Sequence, residues 1–481
     1  MGSTFVVIGG DAAGMSAASK AKREAPDLEV VVFERGDWVS YGACGLPYYV
    51  KGDIASLEDL VAVPAEDFRE ERDIDLRTGH EVVGIDPTAK TVTVEADDGT
   101  VEQSYDDLLI ATGAHAIVPP FDGADLDGVF SIHDLPHGRR IREFLTGDAA
   151  VPHPDDATGP ALRTYLDDHA PETVGVIGGG YVGLEMAEAF HAHGLDVQLF
   201  EMLPHVLAPF GNEVAPVVED HLRDQGVDLH LETTVERIQG TDGRASGIRA
   251  ADETVDVDMV LVGVGVAPNV ALAEDAGIET GPTGAIATDE YGRTSVANVY
   301  AAGDCAEVHN HVTGGPDFVP LALTANRHGR AIGQTVVGTP TPVGAIVGSA
   351  VVKVFDLEVA RTGVVDPKEA EEAGYDPVSR TISAPSRAHY YPGGSEITVH
   401  MQADAGSGRL LGTAMVGREG VAHRINTVAT ALHNDMTVPA VEQLDLAYAP
   451  PFGPVWDPVL TGARVLAGDL PVETTPPAAD D

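Results

Sequence analysis

Val174-Gly175-Val176-Ile177-Gly178-Gly179-Gly180-Tyr181-Val182-Gly183 decides the fold of this chain. An apolar run ends in three glycines, and Tyr181 to His193 then carries the alanine-rich, apolar pattern of a helix. G-x-G-x-x-G between a strand and a helix is the signature of a dinucleotide-binding turn. Gly178 makes the tight turn, Gly180 lets a pyrophosphate approach the backbone, and Gly183 lets helix and strand pack closely. Tyr181 and Val182 complete the loop. The next apolar run, Asp196 to Glu201, ends on an acid suited to accept hydrogen bonds from an adenosine ribose. Glu201 repels a 2′-phosphate, and Met202, Leu203, Pro204 and His205 supply no Lys or Arg to receive one. The reading is an NAD site that prefers NADH, with NADPH possible; Gly265, in Val260 to Asn269, is expected beside it.

The same grammar occurs earlier. Phe5 to Gly9 is apolar, Ala12 to Glu24 reads as a helix, and Leu28 to Glu34 as a strand, which makes a second βαβ unit. Its loop, Gly9-Gly10-Asp11-Ala12-Ala13-Gly14, is degenerate, with Asp11 in the middle glycine slot. Glu34 stands where a ribose acid belongs, followed by Arg35. Ala111-Thr112-Gly113 and Gly303-Asp304 resemble the two further FAD-contact motifs of flavoproteins that bind two dinucleotides. The resemblance implies FAD at this first site, with Gly9, Gly10, Ala13, Gly14, Glu34, Arg35, Ala111, Thr112 and Gly113 around it and Asp304 bonded to the ribityl chain.

Between Glu34 and Ala111 lies Ser40-Tyr41-Gly42-Ala43-Cys44-Gly45-Leu46-Pro47-Tyr48-Tyr49. Flavoenzymes that exchange disulfides with two of their own thiols carry Cys-x4-Cys here; this chain has Tyr49 at the second position. Cys305, far along the chain, is the only other cysteine and reads as structural. A lone thiol exchanges with a small-molecule thiol or an oxygen species. Cys44 is expected to begin a helix, Gly45 to Val50, whose positive end favours the thiolate.

With these motifs in order, the chain resembles the pyridine nucleotide-disulfide oxidoreductases over nearly its whole length. Within them it is similar to the single-cysteine branch of coenzyme A-disulfide reductases, NADH oxidases and NADH peroxidases. The expected class is α/β: two Rossmann-like dinucleotide-binding domains, for FAD (1–115 and 270–340) and NAD(P)H (116–269), plus an α+β dimerisation domain (345–465). An acidic disordered tail (466–481) and an exposed acidic insertion, Gly147 to Gly159, complete the expected layout. Oxidases and peroxidases of the branch carry a histidine in the first glycine loop; Ala12 stands there, as in the reductases. Ala447-Tyr448-Ala449-Pro450-Pro451-Phe452-Gly453 is similar to a reductase segment whose tyrosine reaches the active-site sulfur of the other subunit. The resemblance makes Tyr448 a donor to a leaving thiolate and implies a homodimer. Tyr390 or Tyr391 is a second such donor, the choice being open. Lys20, Lys22 and Arg23 become candidate contacts to the coenzyme A 3′-phosphate, or else compensate the helix C-terminus. Ser40 is a further substrate-side candidate. Ala43 departs from the reductase signature, which often has Asn there. The implied reaction is NAD(P)H-dependent reduction of coenzyme A disulfide through a Cys44–S–S–CoA mixed disulfide. The alternatives are an NADH oxidase cycling Cys44 through a sulfenic acid, and a coenzyme A persulfide or polysulfide reductase.

Composition limits the partners. The 481 residues hold 76 Asp plus Glu against 29 Lys plus Arg, a net charge of −47. Such a surface repels nucleic acid, whose phosphates need cations. It is screened at high salt, and we read it as adaptation to a salty cytoplasm. Two cysteines give no disulfide framework, no metal-ligand cluster is legible, and no run of apolar residues is long enough to cross a membrane. A cytoplasmic protein is expected.

Overall fold

The computed structural model describes residues 3–97, 99–147, 170–250 and 253–470. Most of the acidic insertion and of the C-terminal tail therefore lies outside the described residues. Two compact units emerge: Met1–Met202 with Thr233–His309 and Gly315–Ile346, and Leu203–Glu232 with Asn310–Gly314 and Val347–Asp481.

The first unit contains two parallel sheets. One has the order Val299–Ala301, Asp107–Ile110, Thr4–Ile8, Glu29–Phe33, Asp75–Arg77. Its strands are nearly all apolar because both faces are covered; Phe5, Val6, Val7, Leu108 and Leu109 have no exposed surface. The order reverses between Thr4–Ile8 and Asp107–Ile110, and ligands of doubly wound sheets bind at such a switch point, outside the carboxyl ends of the strands. Gly9–Gly14, Glu34, Ala111–Gly113 and Asp304 all follow strands of this one sheet, so its topology gathers segments nearly 300 residues apart. Helix Ala12–Glu24 packs on helix Ala322–Val336 at very short range: a Cβ on Gly329 would meet the Ala13 carbonyl oxygen at 2.1 Å. Only glycine permits that approach.

In the second sheet, Thr173–Ile177 lies between Asp196–Phe200 and Met259–Val262, with Val129–Ser131 beyond, all parallel. Among the described residues, a strand pair and side-chain hydrogen bonds connect the sheets. Strands Ala114–Ala116 and Val266–Pro268 pair antiparallel, and Asn269 and Thr112 exchange hydrogen bonds of 2.8 Å in both directions.

The other unit is built on a five-stranded antiparallel sheet, in the order Ala350–Val354, Leu357–Gly363, Leu410–Gly417, Glu396–Asp404, Pro377–Pro385. Val399, Met401, Leu411 and Met415 form its core with Val428 from helix Val421–His433 and Val459 from helix Pro458–Ala467. Two expectations are corrected here. Residues 466–470 are not tail: Leu466 and Leu470 are buried in this core, because the last helix needs its apolar face covered. Leu203–Glu232, expected within the nucleotide domain, groups with this unit, where His221 meets Asp356 at 2.7 Å and Glu213 faces His400 at 3.8 Å.

Candidate active site

The two glycine loops fold alike. Gly9 and Gly178 have φ of +110° and +108°, which a side chain would strain. A Cβ on Gly14 or Gly183 would lie 2.0 Å from the carbonyl oxygen of Gly9 or Gly178, respectively. The acid at the end of the second strand closes each turn: Gly10 N–H donates to Glu34 Oε2 at 2.8 Å and Gly179 N–H to Glu201 Oε2 at 2.7 Å. Glu34 also accepts from Gly36 N–H at 2.7 Å, with Arg35 exposed between them. A Cβ on Gly180 would meet nothing within 4 Å, which leaves the space a pyrophosphate needs. Tyr181 is exposed at this mouth and Val182 half-buried behind it. Gly265 has φ +119° and accepts from Ile117 N–H at 2.9 Å.

At the first site the structure brings together two enclosed carboxyls. Asp11 accepts from Tyr41 N–H at 3.0 Å, yet burial pushes its pKa up to about 7, with Glu34 and Asp304 adding to the rise. Burial alone raises Asp304 to about 6. Asp304 is thus an enclosed acid with room for a polar partner, which suits a ribityl hydroxyl. Ala13 packs behind the loop, and Thr112 and Gly113 are held by Asn269. These residues fit FAD.

Ser40 adopts φ +50°, donates its N–H to Gly10 O at 3.0 Å and accepts from Ala62 N–H at 2.7 Å. That anchors the Cys44 segment to the first glycine loop. Cys44 lies within a 3₁₀ turn, Ala43–Gly45, and the α-helix runs Leu46–Lys51. The helix begins one residue later than expected and has only six residues. The surroundings of the sulfur do not favour the expected thiolate. The residue is exposed, but protein atoms crowd the sulfur, and that crowding, with Glu185, Asp304 and Asp11, pushes the thiol up rather than down. Burial of the sulfur leads that rise, and the neighbouring acids add to it. Cys305 is fully buried, 3.5 Å from Ile110 O, as a structural thiol would be.

Sequence reasoning missed the polar contacts that hold this short helix. Tyr48 Oη donates to Glu185 at 2.8 Å, Lys51 pairs with Glu188 at 3.0 Å, and His193 bonds Val50 O at 2.7 Å. All three partners lie on or just beyond helix Tyr181–Ala192. On the other side Arg142 stacks 4.4 Å from the Tyr49 ring centre and donates to Ile54 O and Ala55 O. No local signal ties Tyr48 to a residue so distant in the chain.

The basic cluster resolves unevenly. Lys20 is buried and paired with Glu24, and Lys22 bonds Leu28 O and Asp73, so neither ammonium is unengaged. This corrects the expectation for Lys20: its charge is already neutralised within the helix. Arg23 is exposed.

In the C-terminal unit Tyr390 Oη and Tyr448 Oη are 3.0 Å apart, and both side chains are exposed. Arg424 ties their segments together, donating to Ser386 O at 3.1 Å and Phe452 O at 2.9 Å and pairing with Asp457 at 2.8 Å. Tyr391 instead lies by Arg387, 5.9 Å from the guanidinium to its ring centre. The shared bond with Tyr390 holds the Tyr448 proton more firmly than usual. Among the described residues no group of acids, histidines and cysteines forms a metal site, and no helix is long and apolar enough to cross a membrane.

Two dinucleotide turns on parallel sheets, one cysteine beside the first and a separate unit built on an antiparallel sheet define a two-nucleotide flavin oxidoreductase. Comparison gives the family. Residues 3–329 match the pyridine nucleotide-disulphide oxidoreductase model, and residues 349–458 match that family's dimerisation domain. The chain belongs to the pyridine nucleotide-disulphide oxidoreductases and is an FAD-dependent enzyme using NAD(P)H. It is 41% identical to a coenzyme A-dependent NAD(P)H sulfur oxidoreductase of Pyrococcus abyssi, over 96% of this chain and 98% of that one. A coenzyme A disulfide reductase of Staphylococcus haemolyticus is 28% identical, over 93% and 96%. The solved structure of an NAD-dependent persulfide reductase from A. fulgidus superposes with a TM-score of 0.89 at 36% identity, over 97% of this chain and 83% of that one.

Proposed function

We propose that this protein is an NAD(P)H-dependent reductase of coenzyme A disulfide that works through a Cys44–S–S–CoA mixed disulfide, as a homodimer in the cytoplasm. The observation that carries the reading is a single exposed cysteine beside the first nucleotide loop, with Tyr49 in place of a second thiol. A bound FAD would supply the two-electron chemistry that links a nicotinamide hydride to a disulfide. The overall change balances as one disulfide, one NADH and one proton giving two thiols and NAD⁺.

The chain's own residues do the rest. Glu34 and Glu201 close the two turns and accept from the riboses. Cys44 holds one half of the substrate as a mixed disulfide. Cleavage of that S–S bond releases coenzyme A as thiolate, and the thiolate of Cys44 then attacks the next disulfide. Across the proposed dimer, the Tyr390–Tyr448 pair of one subunit supplies a hydroxyl proton donor to the thiolate departing from Cys44 of the other. Their mutual hydrogen bond favours Tyr390 over Tyr391 as the second tyrosine. Exposure of Tyr448, Phe452, Val455 and Trp456 in one short stretch supports a partner subunit covering this face. Arg23, the exposed cation of the first helix, suits a substrate phosphate. Two unpaired cysteines suit a reducing compartment.

A second reading has an observation of its own. The relatives at 41% and 40% identity are a coenzyme A-dependent sulfur oxidoreductase and a coenzyme A polysulfide/persulfide reductase. The same thiol would then attack the coenzyme A-bearing sulfur of a persulfide and release hydrosulfide.

Intact mass of the denatured, unreduced protein tests the shared core of both readings. Loss of one coenzyme A mass on reduction, mapped to Cys44, is expected, and Cys44→Ser should lose disulfide turnover. An unmodified Cys44 together with full turnover in Cys44→Ser would remove it. Relative kcat/KM for coenzyme A disulfide and coenzyme A persulfide then chooses between the substrates.

A further inference from the structure

The two proposed nucleotide sites share one backbone plan, and a short ribbon ties each to the other. Gly9 packs on Ala111–Gly113: a Cβ on Gly9 would meet Ala111 O at 2.1 Å, and Ala111 N–H donates to Ile8 O at 2.8 Å. Gly178 packs in the same way on Gly263–Gly265: a Cβ there would meet Gly263 O at 2.4 Å, and Gly263 N–H donates to Ile177 O at 2.8 Å. Each loop ends on a glycine of positive φ, +67° at Gly113 and +119° at Gly265. Each then runs directly into one strand of the antiparallel pair Ala114–Ala116 and Val266–Pro268. The residue leaving each strand crosses back to the other loop. Ile117 N–H donates to Gly265 O and Asn269 N–H to Gly113 O, both at 2.9 Å. A shift of either loop along the ribbon therefore breaks a bond to its counterpart.

The side chains break this symmetry. Ile117 offers only hydrocarbon, whereas Asn269 grips the first loop a second time. Its Nδ2 donates to Thr112 O at 2.8 Å, and its main-chain carbonyl accepts from Thr112 Oγ1 at 2.8 Å. Its Oδ1 lies 2.7 Å from His115 Nδ1. An amide oxygen only accepts, so His115 Nδ1 carries the proton, and that bond fixes which way the Asn269 amide faces.

We propose that Asn269, oriented by His115, is a positioning residue for hydride transfer, which locks Thr112 and Gly113 of the proposed FAD loop in register with the loop proposed beside NAD(P)H. The reaction it serves is the passage of one hydride, two electrons with one proton, from NADH to FAD, leaving NAD⁺. Such a step depends steeply on the placement of the reacting groups, and this ribbon joins the loops that place them. Asn269 acts through Thr112 and Gly113. The inference rests on hydride passing between NAD(P)H and FAD, the first half of the proposed reaction, and is independent of Cys44 and of the disulfide used.

The test is anaerobic stopped-flow reduction of the bound flavin by NADH. FAD-saturated protein is first treated with dithiothreitol and desalted, so that no disulfide takes the electrons. FAD affinity is measured separately by titrating the flavin-free protein. Asn269→Asp keeps the side-chain size and the acceptor for His115 but replaces the donor to Thr112 O with an oxygen. Its limiting rate should fall by about tenfold or more, with the NADH concentration for half-saturation little changed. Deuterated NADH should slow the variant further, which identifies hydride transfer as the slowed step, and the FAD dissociation constant should rise. His115→Ala should lower the limiting rate by a smaller factor. Ile117→Ala leaves the main-chain bond to Gly265 O in place and should change neither quantity. A purely structural Asn269 would lower the melting temperature and the FAD affinity without touching the limiting rate of FAD-saturated protein. The proposal fails if that rate in Asn269→Asp stays within about twofold of the parent, or if Ile117→Ala slows the step as much. If Asn269→Asp holds no flavin, the exposed His115→Ala decides, and an unchanged limiting rate there overturns the proposal. An inert Cys44 would defeat the disulfide reading while leaving flavin reduction intact, so the two failures are distinct.

Discussion

Asp11 occupies a slot where a dinucleotide turn ordinarily has glycine, and its cost can be measured. Its folded pKa, about 7, lies above the 3.8 of a free aspartate. A group raised in this way contributes stability that is fully present below the unfolded value and is lost as pH rises through the folded one. Stability of the flavin-free protein should therefore fall between about pH 4 and pH 7 by a few kcal/mol from this residue. Asp11→Asn should remove that slope. Melting temperatures of both forms across the range check it, and parallel curves would show that Asp11 is solvated. Glu201 makes the other residue-scale prediction. Its carboxylate is bonded to Gly179 N–H, and in the proposed role it also accepts from the adenosine ribose. NADH should give the higher kcat/KM by tenfold or more, since an unpaired 2′-phosphate beside a carboxylate costs at least about 1.4 kcal/mol. Equal rates with NADPH would oppose this.

Among the elements, the crossing of Ala12–Glu24 and Ala322–Val336 matters most, because it carries the first glycine loop. The close approach of Gly329 to the Ala13 carbonyl, and of Gly333 to that of Ala17 at 2.5 Å from a built Cβ, leaves no room for a branched side chain. Gly329→Val should cost about 1–3 kcal/mol by overpacking and loosen the loop. We expect a lower melting temperature with faster loss of flavin on dilution; unchanged flavin retention would show that the loop is held from elsewhere. The alanine-rich pattern of the first helix was legible in sequence. The reason for its small residues was not, because the partner helix lies some 310 residues on: Ser16 bonds Asn326 across this gap.

For the molecule as a whole, charge dominates. A net charge of −47 with six lysines means that the folded chain repels itself wherever counterions are scarce. At 0.1 M salt the Debye length is about 10 Å, and at 1 M about 3 Å. The melting temperature should rise steeply with KCl from 0.1 to 2 M and level off once screening is complete. A flat response would mean that the acids are dispersed enough to be harmless and would withdraw the reading of a salty cytoplasm.

Sequence alone was sufficient for the two glycine turns, their closing acids and the unpaired Cys44, because each is a local pattern whose spacing is dictated by backbone geometry. It also sufficed for the exclusion of Cys-x4-Cys chemistry. It could not tell which of Tyr390 and Tyr391, adjacent in the chain, shares a hydrogen bond with Tyr448; the fold gives that bond to Tyr390, at 3.0 Å. Nor could it foresee that Lys20 is buried, that residues 466–470 close a core, or that the thiol is pushed up. The last of these depends first on burial of the sulfur and then on Glu185, Asp304 and Asp11, which come from three separate elements. Electrostatic energy is a function of distance through space, and only the folded chain brings those three charges to one sulfur.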